Sequence, residues 1–134
     1  FNMTYHQAHA QNAILTGQYK ESVRTIVMRD GSIYNTHFTA IPFNAPNKPG
    51  ALVTANFLLS FEAQYSKNDP ANWGDFTVLD LNRLSREERE LFKTLDLGQA
   101  TLPVDVLAQH AVPEIRAEYL EALEKGWEEH VLRQ

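Results

Sequence analysis

Apolar and polar positions follow two different periods along this chain, and the period changes wherever Gly, Pro and Asn cluster. Phe1 to Tyr5 has the composition of the end of a strand. From His6 to Thr16, the residues Ala8, Ala10, Ala13, Ile14 and Leu15 predict a short helix ended by Gly17, with Ala10 and Ala13 small enough to let a sheet approach. Val23 to Met28 is a β-branched run. Asp30-Gly31 after it signals a hairpin, because both central positions of that turn need positive φ. The return strand is predicted from Ile33 through Phe38 to Ile41, long for a single strand, with Pro42 and Pro46 closing it.

The second half reads as helices. Pro49 suits a first helical turn, and Leu52, Val53, Ala55, Phe57, Leu58 and Leu59 spread widely enough round the helix to predict burial on most sides. Ser60 is placed to cap a second short helix, Phe61 to Ser66. Lys67 to Asp75 is a loop by composition, and Phe76 to Leu81 is a short strand or an extended connector. Ser85-Arg86-Glu87-Glu88 is a capping-box pattern opening a helix that runs to Leu95 and stops at Gly98. A shorter helix is predicted from Val104 to His110. The last helix, Pro113 to about Leu132, has Ile115, Tyr119, Leu123, Trp127 and Val131 at every fourth position, which puts Tyr119 and Trp127 in the core. Glu121 and Lys125 have the orientation of a favourable i, i+4 pair. The predicted order is α/β early and helical late.

Composition narrows the class. With 43% hydrophobic and 22% charged residues, the 134-residue chain is globular and the size of one domain. The net charge of −5, with Lys and Arg scattered, argues against nucleic acid, which requires a basic stripe. No apolar run approaches the roughly 20 residues of a membrane span. Absence of cysteine removes disulfides and thiolate metal sites. A strand at the extreme start, running straight into a helix, gives the expectation that earlier residues have been removed.

The run Asn35-Thr36-His37-Phe38-Thr39-Ala40-Ile41-Pro42-Phe43-Asn44-Ala45-Pro46 resembles the C-terminal region of type II periplasmic solute-binding proteins of ABC importers. The nearest branch is that of thiamine, polyamine and iron uptake components. The resemblance continues through Ala55-Asn56-Phe57-Leu58-Leu59-Ser60-Phe61-Glu62-Ala63-Gln64, similar to that family's FLLSPEAQ helix junction. It extends to Met3-Thr4-Tyr5, Trp73-Gly74-Asp75 and Leu79-Asp80. Phe61 departs from the family's proline; it keeps the helix and adds apolar area. His6 departs from the more usual Asn, which leaves the ligand chemistry there open.

The resemblance implies an α/β fold, part of a type II lobe with a mixed sheet, flanking helices and a helical tail. Residues 1–42 would supply sheet elements and the hairpin, 43–67 the crossover and a buried helix, and 68–134 a loop and the C-terminal helices. The implied partners are a small-molecule ligand and a membrane permease, in the periplasm, with no cofactor and no catalysis. An exposed sheet edge would also allow a homodimer.

Ligands of open α/β sheets sit beyond the carboxyl ends of strands. Tyr5, His6 and Gln7 are candidate ligand-binding residues at such an end; the resemblance implies that Tyr34, Asn35, Thr36 and His37 also face the cleft, and Trp73 is a candidate stacking platform for a flat or cationic ligand. Tyr34 and His37 also suit sheet-surface roles, and Trp73 also suits the edge of a core. Asp75 and Asp80 read as turn formers beside Gly and Asn rather than as an acid/base pair. His6 and His9 have a spacing compatible with one metal and His37 as third ligand, although exposed helix histidines have the same pattern. The tyrosines are dispersed, which disfavours iron. No nucleophile elbow or phosphate loop is present. Three functions follow: a solute-binding component for a small polar or cationic ligand, a small metal-assisted α/β enzyme using His6, His9 and His37, or a self-associating helical module.

Overall fold

The computed structural model describes residues 6–133. The expected strand end at Phe1 to Tyr5 lies outside them. Six α-helices and two short strands are described: α1 (His9–Leu15), β1 (Ser32–Tyr34), α2 (Lys48–Leu58), α3 (Phe61–Asn68), α4 (Arg86–Thr94), α5 (Val104–Gln109), β2 (Ala111–Pro113) and α6 (Ala117–Trp127). A 3-10 turn spans Leu81–Arg83, and a π turn, Glu128–Leu132, continues α6. The chain is α/β in the broad sense, helices with a two-stranded parallel sheet.

Three helices, α2, α3 and α4, start with side-chain caps, those at Ser60 and Ser85 as predicted. Asn47 accepts from the Gly50 N–H at the start of α2, where Pro49 lies in the first turn, and Ser60 accepts from the Ala63 N–H to open α3. Ser85 and Glu88 exchange both bonds of a capping box at α4. Each cap satisfies an N–H group that a helix start leaves without an intrahelical partner. Phe61 stacks on Tyr65 at 5.6 Å and meets Phe92 of α4 edge-on at 5.6 Å. It thus ties α3 to α4.

The hairpin is not formed. A turn at Asp30-Gly31 exists, with the Gly31 N–H donating to the Met28 carbonyl, but the strand after it does not fold back on Val23 to Met28. Instead β1 pairs in parallel with β2, Ser32 opposite Ala111 and Tyr34 opposite Pro113. The Ser32 hydroxyl takes the Met28 N–H (3.0 Å), while the Ser32 N–H donates to the His110 carbonyl (2.7 Å). A distant partner thus replaces the local one. The long return strand is correspondingly short, three residues, and 35–40 is exposed without regular structure.

The most buried apolar residues surround α1: Ala8, Ala10, Ala13, Ala100 and Pro70. Asn12 Nδ2 donates to the Pro70 carbonyl (2.9 Å), and Gln11 Oε1 accepts from the Ala100 N–H (3.2 Å), which fastens two loops to one short helix. Other helices are less covered than their patterns predict. No residue of α2 is buried, and Val53 is 71% exposed. Tyr119 and Trp127, predicted core residues, are 55% and 59% exposed on α6. An amphipathic pattern says which face is apolar; it does not supply the surface that covers it. The last helix also starts later than predicted, because Pro113 belongs to β2, and Lys125 pairs with Glu129 (4.0 Å) rather than with Glu121.

Candidate ligand cleft

A broad open cleft of about 2060 Å3 lies beside the carboxyl ends of β1 and β2. His6, Tyr34, Asn35, Thr36, His37 and Trp73, six of the predicted ligand residues, all line it, and Tyr5 lies outside the described residues.

One wall is built by the loop after α3. Its closure depends on Lys67, in the last helical turn, where a cation is favoured by the helix dipole. The Lys67 carbonyl accepts from the N–H groups of Gly74 and Asp75, both at 2.9 Å. Its ammonium donates to the Phe76 carbonyl (2.8 Å) and to Asp75 Oδ2 (3.3 Å). Gly74, at φ 83°, lies against Ala8, so close that a Cβ there would come within 2.4 Å of the Ala8 Cβ. Gln7 then bridges the loop to the start of α1, donating to the Gly74 carbonyl (3.3 Å) and Asp75 Oδ1 (3.4 Å).

Asp75 is the charge centre of this wall. Both oxygens are engaged, and His37 Nδ1 lies 3.6 Å from Oδ2. The His37 ring also stacks on Trp73, with centroids 6.2 Å apart and planes at 22°. Trp73 is 48% exposed, so it presents ring surface to the cleft rather than closing a core edge. His6 contacts His9 edge-on at 6.0 Å, and His9 contacts Tyr19 at 6.1 Å. Burial holds His6 below the ordinary histidine value; Asp75 opposes this, and His9 and His37 reinforce it.

The second wall is the end of the ladder. Tyr34 closes β1 and is exposed. Asn35 Nδ2 donates to Glu114 Oε1 (2.9 Å), joining the residue after β1 to the residue after β2, and Asn35 Oδ1 accepts from the Thr36 N–H (2.6 Å). Among the described residues Glu114 and Glu62, which also line the cleft, have no cation partner.

Sequence reasoning places Asp75 in a turn and does not single out Lys67 or Glu114. Asp80 is separate in role: it caps the 3-10 turn by accepting from the Asn82 N–H (3.0 Å). No set of three His, Asp or Glu side chains suited to a metal ion occurs among the described residues, so His6, His9 and His37 do not form the triad that the metalloenzyme reading needs. No helix among the described residues is long and apolar enough to cross a membrane.

No family model matches the chain, and no solved structure matches it. It is similar to protein YnjB of Escherichia coli (strain K12), 40% identical over 126 residues, which are 94% of this chain. The chain spans about 30% of the length of that curated relative.

Proposed function

We propose that this chain forms one wall of the ligand cleft in an extracytoplasmic, periplasmic solute-binding component of an ABC importer. It captures a small cationic or polar organic molecule between two lobes, without turnover, and the whole protein delivers the ligand to a membrane permease. The observation that carries the reading is the meeting of His37, just beyond the carboxyl end of β1, with Trp73 and Asp75 from a different loop. Aromatic faces at Tyr34 and Trp73, with carboxylates at Asp75 and Glu114, suit an organic cation through cation–π and charge attraction. Lys67 offsets part of the Asp75 charge, which makes Glu114 the freer carboxylate.

Calorimetric titration of the full-length gene product with thiamine and with polyamines tests this. At least one such cation should bind, and Trp73→Ala should weaken it about tenfold, the loss of one desolvated cation–π contact. Unchanged affinity in Trp73→Ala and Tyr34→Ala, or no binding of any organic cation, would overturn the proposal.

A second reading, an interaction module built on α6, is favoured by the exposure of Tyr119, Leu123 and Trp127 on one helix. The two separate at Trp127→Ala, which leaves ligand affinity unchanged under the first and abolishes partner capture under the second.

A further inference from the structure

Two groups of the cleft suit an organic cation, the Trp73 ring and the Asp75 carboxylate, and a side chain of the same chain already engages both. The His37 ring stacks on Trp73 with planes 22° apart, and its Nδ1 is 3.6 Å from Asp75 Oδ2. A protonated imidazole is itself a flat organic cation, and an aromatic face and a carboxylate hold it by the same attractions that hold a ligand. The platform is fixed more firmly than the group lying on it. The Asp75 side chain is 19% exposed and is gripped by Lys67 and Gln7, and Gly74 beside it is wedged against Ala8. The His37 side chain is 51% exposed and belongs to the irregular stretch 35–40. A change of rotamer therefore lifts His37 away while the platform stays. The surrounding charges matter too. Lys67, 3.3 Å from the same carboxylate oxygen, already offsets Asp75, so a proton on His37 leaves the three groups with a surplus positive charge. His6 lies near enough for a charge on His37 to disfavour one on it, and His9 contacts His6. Arg24, Glu62 and Glu114 line the same cleft.

We infer that His37 is a built-in competitor for the cationic ligand: its protonated ring occupies Trp73 and Asp75, and the ligand takes that place when the ring is neutral and turned aside. The inference rests on the proposed binding of an organic cation and adds its control by pH. Two effects act in the same direction as pH falls. The protonated ring holds its carboxylate and aromatic partners more strongly, and its charge repels an incoming cation. Linkage sets the size of the effect. Where only the deprotonated protein accepts ligand, affinity falls by up to about tenfold for each pH unit below the titration of His37. Linkage is reciprocal, so the bound cation expels a proton from His37.

Calorimetric titration of the full-length gene product with thiamine and with spermidine, at about pH 5.5 and about pH 7.5, spans the range in which histidines change charge. The parent should bind at least about fivefold more weakly at the lower pH, and should release protons into the buffer on binding. His37→Gln should bind within about twofold at the two pH values, and more tightly than the parent at the lower one. His37→Arg, which carries the charge throughout, should bind weakly at both. His6→Gln should keep the parent's dependence on pH. A parent affinity independent of pH would overturn the inference and leave the binding proposal standing. So would an unaltered pH dependence in His37→Gln, equal affinities of the Gln and Arg variants, or a dependence lost in His6→Gln instead. Failure of either cation to bind at any pH is the separate outcome that removes the binding proposal, and this inference with it.

Discussion

Gly74 adopts a backbone conformation that a side chain strains, and it does so where the loop after α3 touches Ala8. Gly74→Ala should therefore cost about 2–4 kcal/mol, combining positive-φ strain with overpacking against the buried Ala8 methyl group. Urea unfolding measures this, and an unchanged midpoint would refute the close approach. His6 carries a pH dependence. The folded protein holds it below the ordinary value of 6.5, so as pH falls the unfolded chain takes up this proton first. Its stabilising contribution is full above about pH 6.5 and declines from there towards the lowered folded value. His6→Gln should flatten that part of the stability profile, and a slope identical to the parent's would remove His6 from the account. At this scale much of the candidate site is legible in the sequence, because Tyr34, His37 and Trp73 are the residue types a polar cleft needs. Lys67 and Glu114 are not legible. Lys67 looks like an ordinary helix-end cation until the loop closes round it, and Glu114 acquires its role from Asn35, 79 residues away in the chain.

Elements hold together here through side chains that reach the backbone of their neighbours. Gln64 is buried at 6% exposure; its amide donates to the Leu58 carbonyl (2.7 Å), and its oxygen accepts from Thr77 Oγ1 and the Val78 N–H, both at 3.0 Å. Asn68 adds a bond from the Thr77 N–H (2.9 Å). Together they fix 76–79 as an extended connector along α3, where alternation alone leaves strand and connector equally possible. Gln64→Ala should destabilise the protein by about 1–3 kcal/mol, since it removes three hydrogen bonds of a buried side chain and leaves the part-buried Leu58 carbonyl and Val78 N–H without it. Faster proteolysis within 76–79 should accompany the loss. A stable variant with that connector still resistant would show that the packing, not Gln64, holds it. Helix caps, by contrast, are legible from a few adjacent residues, because the N–H groups at a helix start are satisfied by side chains three positions away. The pairing of β1 depends on residues some 80 positions distant, and local turn chemistry at Asp30-Gly31 points to the wrong partner.

At the scale of the whole molecule, the apolar stripes of α2 and α6 and the side chains of Ile26 and Met28 all face outward. The sequence by itself determined where the capped helices α3 and α4 begin, which helix faces are apolar, and that the chain is mixed α/β. Those properties arise from neighbours within a turn or two of the chain. Tertiary structure alone decided that β1 runs parallel to β2, that Lys67 and Gln7 grip Asp75, and that Tyr119 and Trp127 are exposed. The reason is physical: pairing and burial are set by whichever distant surface arrives to satisfy a backbone edge or cover an apolar face, and no local period encodes its position.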